Sequence, residues 1–129
     1  MSTAPAPHWQ ADTVVLHAGY DGLQHQRSAA VPIYPSTSYL FENAQQGAEL
    51  FDLVQEGHIY ARTSNPTQAV LEQRITQLEG GTAAVAVASG MAAIDIALAT
   101  LAQVGDHVIV ASTLYGGSHN LITHVLQGR

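Results

Sequence analysis

The 129-residue sequence predicts an α/β fold in which helices cover a parallel sheet. Two short apolar runs, residues 82–89 and 105–112, have the composition of buried strands. Each run is followed by a segment typical of a helix, residues 90–103 and 115–127. Strands that are apolar on both faces and alternate with helices are typical of parallel sheets.

The helix that precedes the first strand has clear ends. Asn65 is a favourable N-cap, Pro66 suits the first helical position, and Gly80 with Gly81 provides the stop. The apolar residues of this segment recur at roughly helical spacing. They are expected to form one buried stripe, which consists of Val70, Leu71, Ile75 and Leu78.

The chain before this helix is less regular. Residues 1–12 are rich in Ala and Pro and are predicted to be a disordered tail. Residues 13–65 have little obvious core and are interpreted as an N-terminal arm that packs on something else. Within this arm, residues 31–41 favour an extended segment and residues 44–55 favour a short helix. Residues 66–129 begin the sheet-containing domain, for which no closing strands are visible.

Charge and composition exclude several classes of function. The formal net charge is -6, and the four basic residues are all arginines. A nucleic-acid interface or a basic membrane-surface helix needs clustered Lys and Arg, so neither is expected. The absence of cysteine excludes disulfides and thiolate metal sites. No secretory signal or membrane span is visible, and a cytoplasmic protein is predicted.

The seven histidines do not predict a metal site. His119 and His124 are five residues apart, whereas a helical zinc pair has a spacing of four. Carboxylates do not cluster around the histidines in the sequence. We therefore expect no metal ion.

The loops that follow the two predicted strands are candidate binding sites, because ligands of parallel sheets lie beyond the carboxyl ends of strands. Ser89 ends the first strand, so the backbone N–H groups of Gly90 and Met91 face outward at a helix N-terminus. This favours a phosphate, although a Ser-Gly cap is also a common structural feature. In the second loop, the ring of Tyr115 is placed either to cover a flat ligand or to pack on the sheet edge.

Tyr60 and Arg62 form a third candidate site, in the arm. Arg62 can bind a phosphate in bidentate fashion, and Tyr60 can donate a hydrogen bond to the same group. The alternative is a surface arginine beside a core tyrosine. If the arm binds a phosphate, another part of the protein must hold that phosphate. The loop at Ser89 is the position in the sequence that is suited to bind an anion.

The sequence resembles the N-terminal portion of the pyridoxal-phosphate enzymes of cysteine and methionine metabolism, from about residue 13 to residue 129. The resemblance depends on HAGYDGLQHQRSAAVPIYPSTSYLF, YARTSNPT, LEQRITQLEGGTAAVAVASGMAAI and LYGGSHNL, in this order. Within the family, FDLVQEGHIYARTSNPT and STLYGGSHNL are most similar to the O-acetylhomoserine sulfhydrylase branch. The implied fold is an N-terminal arm and the first part of a three-layer αβα large domain, aspartate-aminotransferase-like (type I).

The resemblance also implies a site for pyridoxal 5′-phosphate. Gly90 and Met91 would offer backbone N–H groups to its phosphate, and Tyr115 would stack on its ring. Tyr60 and Arg62 would reach across a dimer interface to the phosphate bound by a neighbouring subunit. The intact protein would be a dimer with shared cofactor sites, assembled further into a tetramer. The implied cofactor-binding residues are Tyr60, Arg62, Ser89, Gly90, Met91 and Tyr115.

The catalytic group of the family is missing from the sequence. These enzymes hold the cofactor as a Schiff base on a lysine, and the chain has no lysine. Asp95 and Asp106 do not replace the acid that pairs with the pyridinium nitrogen, because one lies in a helix pattern and the other in a Gly-Asp turn. We expect an incomplete N-terminal portion that is inactive by itself and aggregation-prone when expressed alone.

The activity implied for the family member is γ-replacement on O-acetyl-L-homoserine, an amino-acid-derived substrate. Sulfide or a thiol would displace acetate and give homocysteine or methionine. Cystathionine γ-synthase and methionine γ-lyase share the phosphate site and are alternatives. A non-catalytic piece that docks on an intact homologue is a further alternative. A generic nucleotide-binding domain is disfavoured because the sequence lacks the G-x-G-x-x-G and P-loop patterns.

Overall fold

The computed structural model describes residues 9–127, which divide into two compact units with the boundary between Val85 and Ala86. Residues 1–8 of the predicted tail lie outside the described residues. Over residues 9–127, no helix is long and apolar enough to cross a membrane. The elements are α1 (Ala11–His17), a 3₁₀ helix (Gly22–His25), α2 (Ala44–Phe51), α3 (Pro66–Glu79), α4 (Gly90–Leu101) and α5 (Gly116–Asn120), which continues as a π-helix (Leu121–Leu126).

Helix α3 begins and ends where the sequence predicts. The Asn65 side chain accepts a hydrogen bond from the backbone N–H of Thr67, and Pro66 occupies the first turn. Gly80 ends the helix with a φ of 62°, in the left-handed region that favours glycine. The predicted helices in segments 44–55, 90–103 and 115–127 are confirmed as α2, α4 and α5.

The first unit has its core where α1 crosses α3. Val14 and Ala18 from α1 and its C-cap are buried, together with Val70 of α3. The chain leaves α1 through Gly19, whose φ is 69°. A Cβ at this position would lie 2.7 Å from the Cβ of Gln73 and 3.0 Å from the carbonyl oxygen of Val70. The close crossing therefore requires a glycine.

Arg74 fixes the C-terminal end of α1 on α3. Its Nε donates to the carbonyl oxygen of Ala18 at 2.8 Å, and its Nη2 donates to the carbonyl oxygen of Leu16 at 2.9 Å. These carbonyls have no partner within the helix, and a cation is favourable at the negative end of the helix dipole. Arg74 is therefore a structural residue.

The predicted apolar stripe of α3 is only partly buried. Val70 is buried at 6% exposure, but Leu71, Ile75 and Leu78 are exposed at 52%, 43% and 41%. The prediction was wrong for these three side chains. Helix α1 has only seven residues and covers α3 around Val70, so the remaining apolar face is open to solvent.

The two segments predicted to be strands do not form a ladder in the described part of the chain. Residues 82–89 and 105–112 carry no strand, and the only bridge between residues 9 and 127 joins Ser38 to Tyr60. Consecutive parallel strands need not be neighbours in their sheet, so a helical crossover does not force these two runs to pair. Their side chains are uncovered: Val85 is 77% exposed and Ile109 is 99% exposed.

Candidate functional site

The N-terminus of α4 presents free backbone donors to an open surface. The Oγ of Ser89 accepts a hydrogen bond from the backbone N–H of Ala92 at 3.1 Å. This cap leaves the N–H groups of Gly90 and Met91 in the first turn, where helices provide no internal acceptor. A Cβ at Gly90 would meet no atom within 4 Å, so the space beside the Gly90 Cα is open. The arrangement suits an anion.

Tyr115 and Met91 meet around Gly117. Tyr115 is the N-cap of α5, and its side chain is 76% exposed. A Cβ at Gly117 would lie 2.7 Å from Cε1 of Tyr115 and 3.1 Å from Sδ of Met91. Two of the loops predicted to bind a ligand therefore come together in the second unit, with an aromatic ring beside the first turn of α4.

Tyr60 and Arg62 lie in a tight turn of the first unit, at residues 60–64. Tyr60 pairs with Ser38 in an antiparallel bridge. The carbonyl oxygen of Tyr60 accepts hydrogen bonds from the backbone N–H groups of Thr63 at 2.9 Å and Ser64 at 3.1 Å. The 60–64 turn carries Arg62 at an exposed position.

Among the described residues, the guanidinium of Arg62 contacts an aromatic ring and forms no ion pair with an acid. Its Cζ lies 5.4 Å from the centroid of the Tyr60 ring, within the range of a cation–π contact. Between residues 9 and 127 this guanidinium makes no hydrogen bond or ion pair. Arg74, in contrast, uses its guanidinium on backbone carbonyls. The guanidinium of Arg62 can thus bind an anion that comes from outside residues 9–127.

Asn65 connects the arm to α3 through a function that the sequence interpretation missed. Besides capping α3, its Nδ2 donates to the carbonyl oxygen of Tyr34 at 2.9 Å and to the hydroxyl of Tyr39 at 3.0 Å. Thr67 adds a hydrogen bond from Oγ1 to the carbonyl oxygen of Pro32 at 2.9 Å. The choice of Asn was the available signal, because Asn has N–H donors that Ser, Thr and Asp caps lack.

His58 is a further residue near the candidate site that was not predicted from the sequence. Its Nδ1 lies 3.0 Å from Oγ of Ser64, and its ring centroid lies 5.5 Å from that of Tyr39. Burial of the ring lowers the pKa of His58 below its ordinary value of 6.5. Burial therefore favours the neutral imidazole of His58, next to the turn that carries Arg62.

The other histidines of the arm have structural contacts. The Nδ1 of His25 lies 2.7 Å from the hydroxyl of Tyr34, and its ring stacks on that of Tyr20 at 5.2 Å. In the part of the chain that the structure describes, no three His, Asp or Glu side chains are grouped to hold a metal ion.

Comparison with known proteins identifies the family. The family model described as Cys/Met metabolism PLP-dependent enzyme matches residues 12–128. The chain is 53% identical over 111 residues to homocysteine/cysteine synthase of Saccharomyces cerevisiae. It is 51% identical over 109 residues to O-acetyl-L-homoserine sulfhydrylase 1 of Thermus thermophilus. Each alignment covers 84% of this chain, and they cover 25% and 26% of the relatives.

A solved structure agrees with this result. It is the crystal structure of a putative O-acetylhomoserine (thiol)-lyase from Campylobacter jejuni with a pyridoxyl-lysine phosphate. The TM-score is 0.88 at 46% identity, with 94% of this chain and 30% of that chain covered. The chain belongs to the Cys/Met metabolism PLP-dependent enzyme family.

Family membership confirms three of the predictions made from the sequence. The resemblance, the type I pyridoxal-phosphate fold class and pyridoxal phosphate as the cofactor are all supported. The chain spans about a quarter of the length of the curated relatives that it matches. The residues present fit the cofactor, because a helix N-terminus with free donors lies beside an exposed aromatic ring in the second unit.

Proposed function

We propose that the gene product that carries this segment catalyses γ-replacement on O-acetyl-L-homoserine. Sulfide or a thiol takes the place of the acetate group, so that the products are homocysteine or methionine and free acetate. The names of the relatives support this reaction class. The observation that supports the proposal is the position of Gly117 between the side chains of Tyr115 and Met91, because an aromatic ring therefore lies near the first turn of α4.

In this proposal the second unit holds the cofactor. When bound, pyridoxal phosphate supplies an electron sink for carbon atoms of the substrate. The N–H groups of Gly90 and Met91 donate to its phosphate at the positive end of the α4 dipole. Ser89 supports this binding by capping the N–H of Ala92, which keeps the helix start ordered. Tyr115 covers the flat ring of the cofactor.

The first unit contributes to the site of a neighbouring subunit. Tyr60 and Arg62 bind the cofactor phosphate of that neighbour, and the protein forms a dimer with shared sites and then a tetramer. The support is that Arg62 is exposed, ordered over Tyr60 and without an acidic partner between residues 9 and 127. A cytoplasmic location is part of the same proposal.

The 129-residue chain is proposed to be inactive on its own. The family anchors its cofactor on a lysine, and these 129 residues contain none. The residues described above can bind and orient the cofactor, but none of them can replace that amine.

The test uses the complete gene product. Purified protein is mixed with O-acetyl-L-homoserine and sulfide, and acetate and homocysteine are measured together. Their release in equal amounts, dependent on added pyridoxal phosphate, is the expected result. Release of methanethiol and ammonia from methionine without such replacement would instead assign a lyase.

A substitution at Arg62 tests the shared site. Arg62→Ala removes a charge-assisted contact that is partly exposed and contributes about 1.5–3 kcal/mol in total, so the dissociation constant of the cofactor should rise by roughly ten- to a hundredfold. Arg62→Lys keeps the charge without the bidentate geometry and should give a smaller rise. An unchanged dissociation constant of the cofactor in Arg62→Ala would show that the arm does not bind the cofactor phosphate.

A further inference from the structure

We propose that His58 positions the 60–64 turn, so that Arg62 is held ready for a phosphate. This inference rests on the proposed function, because the phosphate is that of the cofactor. His58 precedes the turn and Ser64 ends it, and the Nδ1 of His58 lies 3.0 Å from the Oγ of Ser64. The two ends of the segment that carries Arg62 are thus joined by one side-chain hydrogen bond.

His58 is itself connected to the start of α3. Its ring packs against that of Tyr39, with centroids 5.5 Å apart. The hydroxyl of Tyr39 accepts a hydrogen bond from Nδ2 of Asn65 at 3.0 Å, and Asn65 caps α3. The position of the 60–64 turn is therefore set relative to a 14-residue helix through His58 and its neighbours.

Arg62 depends on such support because it has little of its own. Between residues 9 and 127 its guanidinium makes a cation–π contact with Tyr60, at 5.4 Å, and no hydrogen bond or ion pair. Tyr60 is itself 40% exposed. A bidentate contact to a phosphate needs a narrow range of positions, so a backbone that moves by an ångström loses affinity. The His58–Ser64 hydrogen bond restricts this movement before the phosphate arrives.

The surroundings of His58 suit a fixed, uncharged ring. His58 and Tyr39 line a cavity of about 400 Å³ together with Asp21, His25 and Tyr34. Burial favours the neutral form of the ring, since it lowers the pKa of His58. A neutral imidazole can either donate to the Ser64 hydroxyl or accept from it, so the hydrogen bond forms with either tautomer.

Two substitutions separate the hydrogen bond from ring packing. His58→Phe keeps an aromatic ring against Tyr39 but cannot bond to Ser64, whereas His58→Asn keeps a polar atom near the position of Nδ1. The dissociation constant of pyridoxal phosphate is measured in the complete gene product by its visible absorbance. We expect about a three- to tenfold rise for His58→Phe and a value near the wild type for His58→Asn. At saturating cofactor, the KM for O-acetyl-L-homoserine should not change.

The Arg62→Ala background decides whether His58 acts through Arg62. If it does, adding His58→Phe to Arg62→Ala has no further effect on cofactor affinity. An equal loss in both backgrounds, or no loss in His58→Phe alone, would overturn the inference. If Arg62→Ala itself leaves the affinity unchanged, the arm assignment under the proposed function fails instead. Ser64→Ala removes the same hydrogen bond from the other side and replaces His58→Phe if that variant does not fold.

Discussion

Gly117→Ala should displace the Tyr115 ring without unfolding the protein. The new Cβ would lie 2.7 Å from Cε1 of Tyr115 and 3.1 Å from Sδ of Met91. Carbon atoms in contact are about 3.5–4.0 Å apart, so the ring must retreat by about 1 Å. Because the Tyr115 side chain is 76% exposed, it can move outward into solvent.

The expected result is a loss of cofactor affinity at nearly constant stability. An aromatic stacking contact contributes about 0.5–1.5 kcal/mol, so its loss raises the dissociation constant of pyridoxal phosphate roughly two- to tenfold. Alanine favours a helix over glycine by up to about 1 kcal/mol, less at the second position of α5, which partly offsets the cost of moving the ring. The melting temperature should therefore change little.

The assay is a titration of the complete gene product with pyridoxal phosphate, followed by visible absorbance, beside a thermal unfolding curve. Gly116→Ala is the matched control, because a Cβ at Gly116 meets no atom within 4 Å. The two variants differ by one position in the same helix. Equal cofactor affinities for Gly117→Ala and Gly116→Ala would refute the proposal that Tyr115 stacks on the cofactor ring.

Three further predictions concern stability. Arg74→Ala should lower the free energy of unfolding in urea by about 1–3 kcal/mol, because two hydrogen bonds to α1 carbonyls are lost; a loss below about 0.5 kcal/mol would contradict this role. Ser89→Ala should lower the free energy of unfolding, measured by thermal unfolding, by about 1 kcal/mol, because the N-cap of α4 is lost. Ser89→Asp should retain most of the stability, since an aspartate can also cap the helix. Burial lowers the pKa of His58, so the unfolded chain binds its proton first as the pH falls. The contribution of His58 to stability should therefore be constant above about pH 6.5 and decrease below it, so His58→Asn should weaken the loss of stability in this range; identical pH profiles would exclude a contribution from His58.

Local signals explain why most helices were predictable. Asn65, Ser89 and Gly80 act within a few residues of the helix end that they define, and each does so in the structure. Helix α1 lacks such a signal, because the side chain of Gln10 makes no capping hydrogen bond. It is held instead by Arg74, which lies 56 and 58 residues from its two acceptors. A contact over that distance in sequence is set by tertiary packing.

The site was predictable in its parts but not in its connections. The loops at Gly90 and Tyr115 follow from glycine and cap patterns, but their meeting at Gly117 depends on how α5 packs near α4. His58 gave no signal, since its contacts with Ser64 and Tyr39 form only after the arm folds back on itself. The binding of Arg62 to a neighbour's phosphate stays a prediction.

The exposure of Val85 and Ile109 has a consequence for the ribosome-bound chain. Both lie in apolar runs that have no sheet partner in residues 9–127. In any longer polypeptide that begins with this segment, these runs leave the ribosome before later strands. They stay uncovered while the later strands are synthesised at about 5–20 residues per second. Nascent-chain chaperones that recognise extended apolar stretches should therefore bind here, and release should follow only when the covering strands have left the exit tunnel.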